Sequence, residues 1–285
     1  MVTGATGFIG SALVRKLLEK SYEVIELSSK DGDIAESSTL DKYNQTEFVR
    51  IFHLAGLTYV PGSWESPLDY YRTNVLGTAN VVDFCRLKNT PITFISAYIY
   101  GQPEFLPINE DHSISPNNPY AFTKYAAENI CEFYAKNFNI SCAVIRPFNV
   151  YGVGQSPDFI IPSIIDQVLN KEKIIVNDLT PCRDYVNIED LVNAIIKTFE
   201  CRGEYNVYNI GSGNSLSVEE VINIIQQSVK TNKPVISKGN TRINEIPDVV
   251  ADISRAGNEL EWFPHVSFAA GIDAMIMKMR RDVPN

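Results

Sequence analysis

Thr3-Gly4-Ala5-Thr6-Gly7-Phe8-Ile9-Gly10 is the stretch that decides the fold. Three glycines, three residues apart, stand between the end of a strand at 1–3 and a helix predicted over 8–20. That helix puts Ile9, Leu13, Val14, Leu17 and Leu18 on one face. Each glycine has its own task. Gly4 permits a tight turn, Gly7 lets the backbone approach a pyrophosphate, and Gly10 lets helix and strand pack closely. The helix N-terminus then offers unpaired N–H groups and a partial positive charge to the phosphates. Glycine spacing alone also occurs in plain turns; its place at the first strand–helix junction makes it a dinucleotide signal. Only three residues precede Gly4, against ~5–6 for an ordinary strand. Either the natural start lies upstream or the first strand is unusually short.

Outward from the turn, strand and helix alternate. Strands are predicted at 23–27, 49–54, 92–96 and 142–146, and long helices at about 68–87 and 120–137. Such alternation builds a parallel sheet with helices on both faces, the doubly wound α/β class. Beyond about Val150 the elements shorten. Helices are expected near 160–170, 188–199, 217–228 and 267–280, with a strand at 174–176 and loop-rich stretches at 231–242 and 252–265. This is a smaller second lobe. No Gly/Ser linker sets it apart, so the chain is expected to cross between lobes more than once.

Composition excludes several classes. Apolar residues are 45% and charged residues 21% of the 285, as in ordinary globular proteins. No apolar run approaches the ~18 residues of a membrane span, and no signal peptide is expected ahead of the turn. A net charge of −9 argues against nucleic-acid and anionic-membrane partners. The cysteines, at 85, 131, 142, 182 and 201, are odd in number and lack C-x-x-C spacing. Neither a disulfide framework nor a metal site is expected, and a reducing, cytoplasmic compartment is.

Strand two ends in Glu26-Leu27-Ser28-Ser29-Lys30. Dinucleotide folds usually carry an acid there for the adenosine ribose. Glu26 comes one residue early, whereas Ser28 and Lys30 suit a ribose 2′-phosphate. NADP(H) is therefore favoured, with NAD(H) the alternative; a plain polar turn would need neither. Asp33-Ile34 follows, and its carboxylate can accept from an adenine amino group. Further on, Tyr120 and Lys124 stand one helical turn apart. A phenol near pKa 10 is a poor proton donor or acceptor at neutral pH, and a nearby cation draws that pKa down. Fourteen tyrosines among 25 Lys and Arg in 285 residues give about 1.2 such pairs by chance. Context carries the pair: it opens a helix after Pro116-Asn117-Asn118-Pro119 and follows a strand ending at Ser96, whose hydroxyl can orient a substrate oxygen.

Taken together, TGATGFIG at 3–10, FHLAG at 52–56, TNVLGTANVVDFC at 73–85, FISAYIYG at 94–101, PYAFTK at 119–124, RPFNVYG at 146–152, RDYVNIEDLV at 183–192 and EIPDVVADIS at 245–254 resemble the extended short-chain dehydrogenase/reductases. More narrowly, they resemble the nucleotide-sugar epimerase/dehydratase family. The resemblance spans nearly the whole chain. It implies a Rossmann-type cofactor domain at 1–150, joined by about 183–210, and a substrate lobe mainly at 151–285. Gly4, Gly7, Phe8, Ile9 and Gly10 would form the pyrophosphate loop. Leu54, Ala55 and Gly56 would line the cofactor, supported by Asn74. Ser96, Tyr120 and Lys124 would be the catalytic triad, Lys124 also bonding the nicotinamide ribose. Asn149 would hold the nucleotide-sugar, and Arg183 and Arg242 its diphosphate, where paired arginines suit an anionic ligand. A homodimer through the helices near 68–87 and 120–137 is also implied.

Within the family, dehydratases place carboxylates just after the serine. Ala97 and Tyr98 stand there instead, with Tyr98 left to contact the sugar, so dehydration is disfavoured. A 4-ketoreductase and a 4-epimerase remain. The Ser28-Ser29-Lys30 end of strand two fits exchangeable NADPH, and the stretches from Arg146 to Pro162 and from Asn177 to Asp184 resemble the GDP-4-keto-6-deoxymannose reductase branch, whereas the segment from Arg242 through Glu245-Ile246-Pro247-Asp248 is more epimerase-like. The expected activity is reduction of a nucleotide 4-keto-6-deoxy sugar, with 4-epimerisation on bound NAD as the alternative. A cofactor-sensing regulator without turnover is the remote third reading.

Overall fold

The computed structural model describes residues 1–201, 203–240 and 245–281. In chain order the first half holds β1 (Val2–Thr3), α1 (Phe8–Glu19), β2 (Glu26–Leu27), β3 (Ile51–His53), α2 (Val60–Glu65), α3 (Pro67–Tyr70), α4 (Gly77–Lys88), β4 (Ile92–Ile95), α5 (Pro119–Phe138) and β5 (Cys142–Pro147). The second half holds β6 (Asn149–Tyr151), α6 (Ile160–Asn170), β7 (Ile174–Val176), β8 (Cys182–Asn187), α7 (Ile188–Lys197), β9 (Tyr205–Ile210), β10 (Ser215–Ser217), α8 (Val218–Val229), β11 (Val235–Ser237), α9 (Ser254–Leu260) and α10 (Phe268–Arg281).

The main sheet runs β2-β1-β3-β4-β5-β9, parallel throughout. From β1 the chain steps to β2 on one side and then returns to β3 on the other. The crevice at that reversal, beyond the carboxyl ends of the strands, is where such sheets hold ligands. Every residue of β4 and β5 is buried, as a strand covered on both faces requires. One face is closed by Leu13, Val14 and Leu17 of α1 with Leu191 and Ile195 of α7. The other is closed by Val81, Val82 and Cys85 of α4 with Ala127, Cys131 and Ala135 of α5. The second lobe has its own core, in which Ile164 and Ile165 of α6, Ile222 and Ile225 of α8 and Ile272 and Ile276 of α10 meet around β7. Two smaller sheets, β10-β8-β6 and β11-β7, complete it.

Several expectations need correction. The strand expected at 23–27 pairs only at Glu26–Leu27, because β1 offers only Val2 and Thr3 as partners. The strand expected at 49–54 shortens to Ile51–His53, the three residues that pair with β4, two of which also pair with β1. The helix expected over 68–87 is interrupted at Tyr71–Leu76 by a π-helical turn. There the wider coil turns Asn74 into the interior, where it is 2% exposed. The loop-rich stretch 252–265 contains α9, whose Ala256 and Leu260 enter the main core. Its Ser254, Arg255, Asn258 and Glu259 hide that face from a reading of periodicity. The stretch 231–242 contains β11, an exposed strand paired in parallel with β7.

Candidate active site

The glycine-rich turn is built by backbone contacts that leave no room for side chains. Gly4 has φ +69°, and a Cβ on it would lie 2.7 Å from Ala55 N and 2.9 Å from the Leu54 carbonyl carbon. A Cβ on Gly10 would lie 2.1 Å from Gly4 O. Gly7 differs: only Gly4 O, at 3.3 Å, approaches its would-be Cβ, so its outer side is open. Gly7 is also the N-cap of α1, with no side-chain cap and no acid in the first turn. Those first N–H groups are available to an anion, and this open cradle fits a dinucleotide pyrophosphate.

A chain of hydrogen bonds that sequence reading missed fastens this turn. Thr3 Oγ1 accepts from Leu54 N (3.2 Å) and Ala55 N (3.1 Å) and contacts His53 Nδ1 at 2.8 Å. His53 Nε2 meets Thr78 Oγ1 at 3.0 Å, and Thr78 donates to Asn74 O at 2.6 Å. With Thr78 spending its proton on Asn74, the network assigns His53 as the neutral Nε2–H tautomer. Burial, then the nearby Lys124 charge, pushes the His53 pKa down to about 3. The alternating Thr3, His53 and Thr78 were legible only as isolated polar residues in a core.

Asn74 extends the fastening to the catalytic helix. It accepts from Leu57 N (2.8 Å) and donates to Leu57 O (3.1 Å) and Thr123 Oγ1 (3.0 Å). A Cβ on Gly56 would lie 3.0 Å from Asn74 Oδ1 and 3.9 Å from Lys124 Nζ. Gly56, Asn74 and Lys124 are thus brought together. α5 begins at the N-cap Asn118, which accepts from Ala121 N at 2.9 Å, followed by Pro119 at the first helical position. Tyr120 and Lys124 then stand in the first two turns of α5. Lys124 is 4% exposed, and its Nζ stands 4.5 Å over the Phe94 ring. Burial lowers its pKa to about 8, against the opposing pull of Glu128 and then Cys131. Tyr120 packs against the cluster of Ala97, Ile99 and Ala121 and stands edge-on to Tyr70, ring centroids 6.5 Å apart. Burial, and then Tyr70, raise the Tyr120 phenol, so the expected lowering by Lys124 is not what governs it. Ser96, at the carboxyl end of β4, is anchored by Ser96 N donating to Ile145 O at 2.8 Å. Its hydroxyl is buried without a hydrogen-bond partner in the protein. Such a group is costly unless a ligand meets it.

On the adenosine side, Ser28 N and Ser28 Oγ both donate to Asp31 Oδ2 at 2.8 Å, and Lys30 N donates to Ser28 Oγ at 3.3 Å. Asp31, a residue the sequence reading passed over, therefore folds its carboxylate back onto the end of β2. The Ser28 hydrogen bonds lower its pKa; the Ser-x-x-Asp spacing was the available signal. Asp33 accepts from Ala35 N (2.9 Å) and pairs with Arg72, which also holds Glu36 at 2.6 Å. Ile34 is buried beside Gly77.

On the other side of the crevice, Asn149 lies on β6 opposite Tyr185 of β8. Tyr98 donates to Gly101 O at 2.6 Å and stands edge-on to Phe148 at 5.4 Å. Burial raises the Tyr98 phenol, with Arg183 opposing. Arg183 itself donates to Cys182 O and Ile246 O, both at 2.7 Å, and pairs with Glu245. It is brought to the site already engaged. Arg242 lies outside the described residues. Among those described, no group of His, Cys, Asp and Glu could hold a metal, and no helix is long and apolar enough to cross a membrane.

Comparison with known proteins gives the same outline. Residues 1–211 match the model of the NAD dependent epimerase/dehydratase family. The chain is 31% identical to a putative UDP-glucose 4-epimerase of Methanocaldococcus jannaschii, covering 99% of this chain and 98% of that protein. It is 27% identical to the GDP-6-deoxy-D-mannose reductase of Pseudomonas aeruginosa, over 96% and 95% of the two chains. In structure it resembles MoeE5 in complex with UDP-glucuronic acid and NAD, with a TM-score of 0.90, 29% identity and 99% of each chain covered.

Proposed function

This chain belongs to the NAD dependent epimerase/dehydratase family, and on that premise we propose that it is an oxidoreductase acting at carbon 4 of a nucleotide-activated sugar. The favoured direction is reduction of a nucleotide 4-keto-6-deoxy sugar. Because the epimerase relative is 31% identical and the reductase relative 27%, the proposal keeps 4-epimerisation on bound NAD as its alternative. The observation that carries it is the unpartnered, buried Ser96 hydroxyl at the carboxyl end of β4, the end at which such sheets take ligands.

When bound, the nicotinamide cofactor supplies or takes the hydride. The chain does the rest. Ser96 Oγ donates to the carbon 4 oxygen and orients it. Tyr120 Oη passes a proton to that oxygen in reduction and takes one in oxidation. Lys124, as an ammonium, stabilises the phenolate left behind and contacts the cofactor ribose. The raised Tyr120 pKa keeps the phenol protonated beforehand, as a general acid requires. Gly4, Gly7, Phe8, Ile9 and Gly10 take the pyrophosphate. Leu54, Ala55, Gly56 and Asn74 line the nicotinamide side, and Asp33 and Ile34 the adenine. Tyr98, Asn149 and Arg183 face the nucleotide-sugar.

Domain roles follow: residues 1–150 with about 183–210 bind cofactor, and 151–285 mainly bind substrate. A homodimer is supported by Leu68, Tyr71, Phe122 and Phe133, large apolar side chains left exposed on the expected pairing helices. Sedimentation as a monomer at micromolar concentration overturns that part. Five free thiols suit the cytoplasm. NADP(H) is favoured by Ser28 and Lys30, although the Asp31 carboxylate hydrogen-bonded to Ser28 weighs toward NAD(H). The deciding experiment records the absorbance of the protein as isolated and titrates NADPH and NADH into it. A reductase purifies largely free of cofactor and prefers NADPH. Captive NAD with no preference for the phosphorylated form turns the assignment to the epimerase.

A further inference from the structure

One turn beyond Lys124 on α5 is Glu128, at the (i, i+4) position that places two side chains side by side. It is 2% exposed. Arg146, on β5 and 4% exposed, clamps it: Nε donates to Oε1 at 3.0 Å and Oε2 at 3.1 Å, and Nη2 to Oε2 at 2.6 Å. The remaining Arg146 nitrogen, Nη1, donates to Tyr100 Oη (2.9 Å) and Glu110 O (3.3 Å). Tyr100 in turn donates to Asn209 Oδ1 at 2.6 Å, and Asn209 N to Glu110 Oε1 at 2.7 Å. Two buried charges are thus hydrogen-bonded to each other and tied to β5 and, through Tyr100 and Asn209, to β9. As a device for stability this is poor: a buried ion pair rarely outperforms apolar packing of the same volume. Its position behind the active-site lysine gives it a different use.

We propose that Glu128, whose charge Arg146 partly offsets, is a positioning residue that keeps Lys124 an ammonium inside the active site. The proposal rests on the role given to Lys124 above. Burial works against that ammonium, and among the described residues the groups that act on it include no carboxylate from the strands: β3 contributes His53, which is neutral, and β4 contributes the Phe94 ring. From its own helix come Tyr120, one turn before it, then Glu128 and Cys131, whose thiol burial and Cys142 hold neutral. Glu128 is therefore the anion available to offset burial. Arg146 sets how much of that anion Lys124 feels. For Arg146 itself, burial pulls downward, yet the hydrogen bonds and charge of Glu128 outweigh it and raise its pKa, so the clamp stays charged across the working range.

The test reads Lys124 without turnover. Protein carrying carbon-13 lysine is titrated by NMR, and the Lys124 signal is identified by its disappearance in Lys124→Met. The parent midpoint is expected at about 8. Glu128→Gln keeps an acceptor for Arg146 and removes the charge; it should move the midpoint down by about one unit or more. Arg146→Lys, which keeps the positive charge, should leave the midpoint near the parent value. If Glu128→Gln does not fold, Arg146→Gln reads the same coupling with opposite sign, because the unclamped carboxylate turns to the ammonium and the midpoint rises. A midpoint unmoved in Glu128→Gln, or in Arg146→Gln where that variant is used, overturns the proposal. Loss of stability alone does not produce opposed shifts. Because no substrate is involved, failure of the carbon 4 assignment and failure of this coupling are read separately.

Discussion

The two banks of the crevice are built by different means. On the cofactor bank, the glycine turn is fixed by backbone packed on backbone: Gly10 against Gly4, and Gly4 against Leu54 and Ala55. On the substrate bank, the groups that would meet a ligand are side chains already engaged elsewhere, Arg183 with Glu245 and two backbone carbonyls and Tyr98 with Gly101 O. Backbone packed on backbone leaves little room to adjust, whereas side-chain contacts are of a kind that can be exchanged. Binding of the invariant part of a ligand suits the first construction, and selection among sugars suits the second.

The largest effect is expected where the packing is tightest. Gly10→Ala drives a methyl into the Gly4 carbonyl, which is backbone and cannot swing away. Overpacking of this kind costs ~1–3 kcal/mol or more, and here it also distorts the pyrophosphate cradle. Thermal unfolding and cofactor titration should both show the loss; unchanged cofactor affinity would mean the turn is not the cradle. On the other bank, Arg183→Met should leave the fold nearly intact and raise KM for the nucleotide-sugar. A lost charge-assisted contact of ~1.5–3 kcal/mol is roughly ten- to a hundredfold. An unaltered KM would show that Arg183 serves only Glu245. The smallest effect concerns the exposed turn after β2. Asp31→Asn removes a carboxylate from the Ser28 cap and should raise the NADPH-to-NADH affinity ratio by up to about tenfold, in line with one solvent-screened charge. A ratio that stays constant places Asp31 outside reach of the ribose.

The same contrast explains what could be read from the chain beforehand. The glycine turn, the burial of strand 92–95 and the Tyr120–Lys124 spacing are local patterns, and each is set within one element or one turn. α5 could be placed to within a residue because Asn118-Pro119 is a helix start written in the sequence. The partners of the site residues were not legible. Arg183 meets Glu245 across 62 positions, and Asn74 meets Thr123 across 49. No periodicity reports such pairs. The lowering expected for Tyr120 also failed for a tertiary reason: it weighed one neighbouring cation and not the burial of the phenol. α9 escaped because only two of its seven residues, Ala256 and Leu260, are apolar, and both do the packing.

The central claim is that Tyr120 moves the proton while a hydride moves at carbon 4. It is tested most directly by comparing the parent protein with Tyr120→Phe, in cofactor titration and in turnover of a nucleotide 4-keto-6-deoxy sugar and of UDP-glucose. The account predicts retained cofactor affinity and turnover lower by about 10²–10⁴-fold. Near-parental turnover in Tyr120→Phe would contradict it.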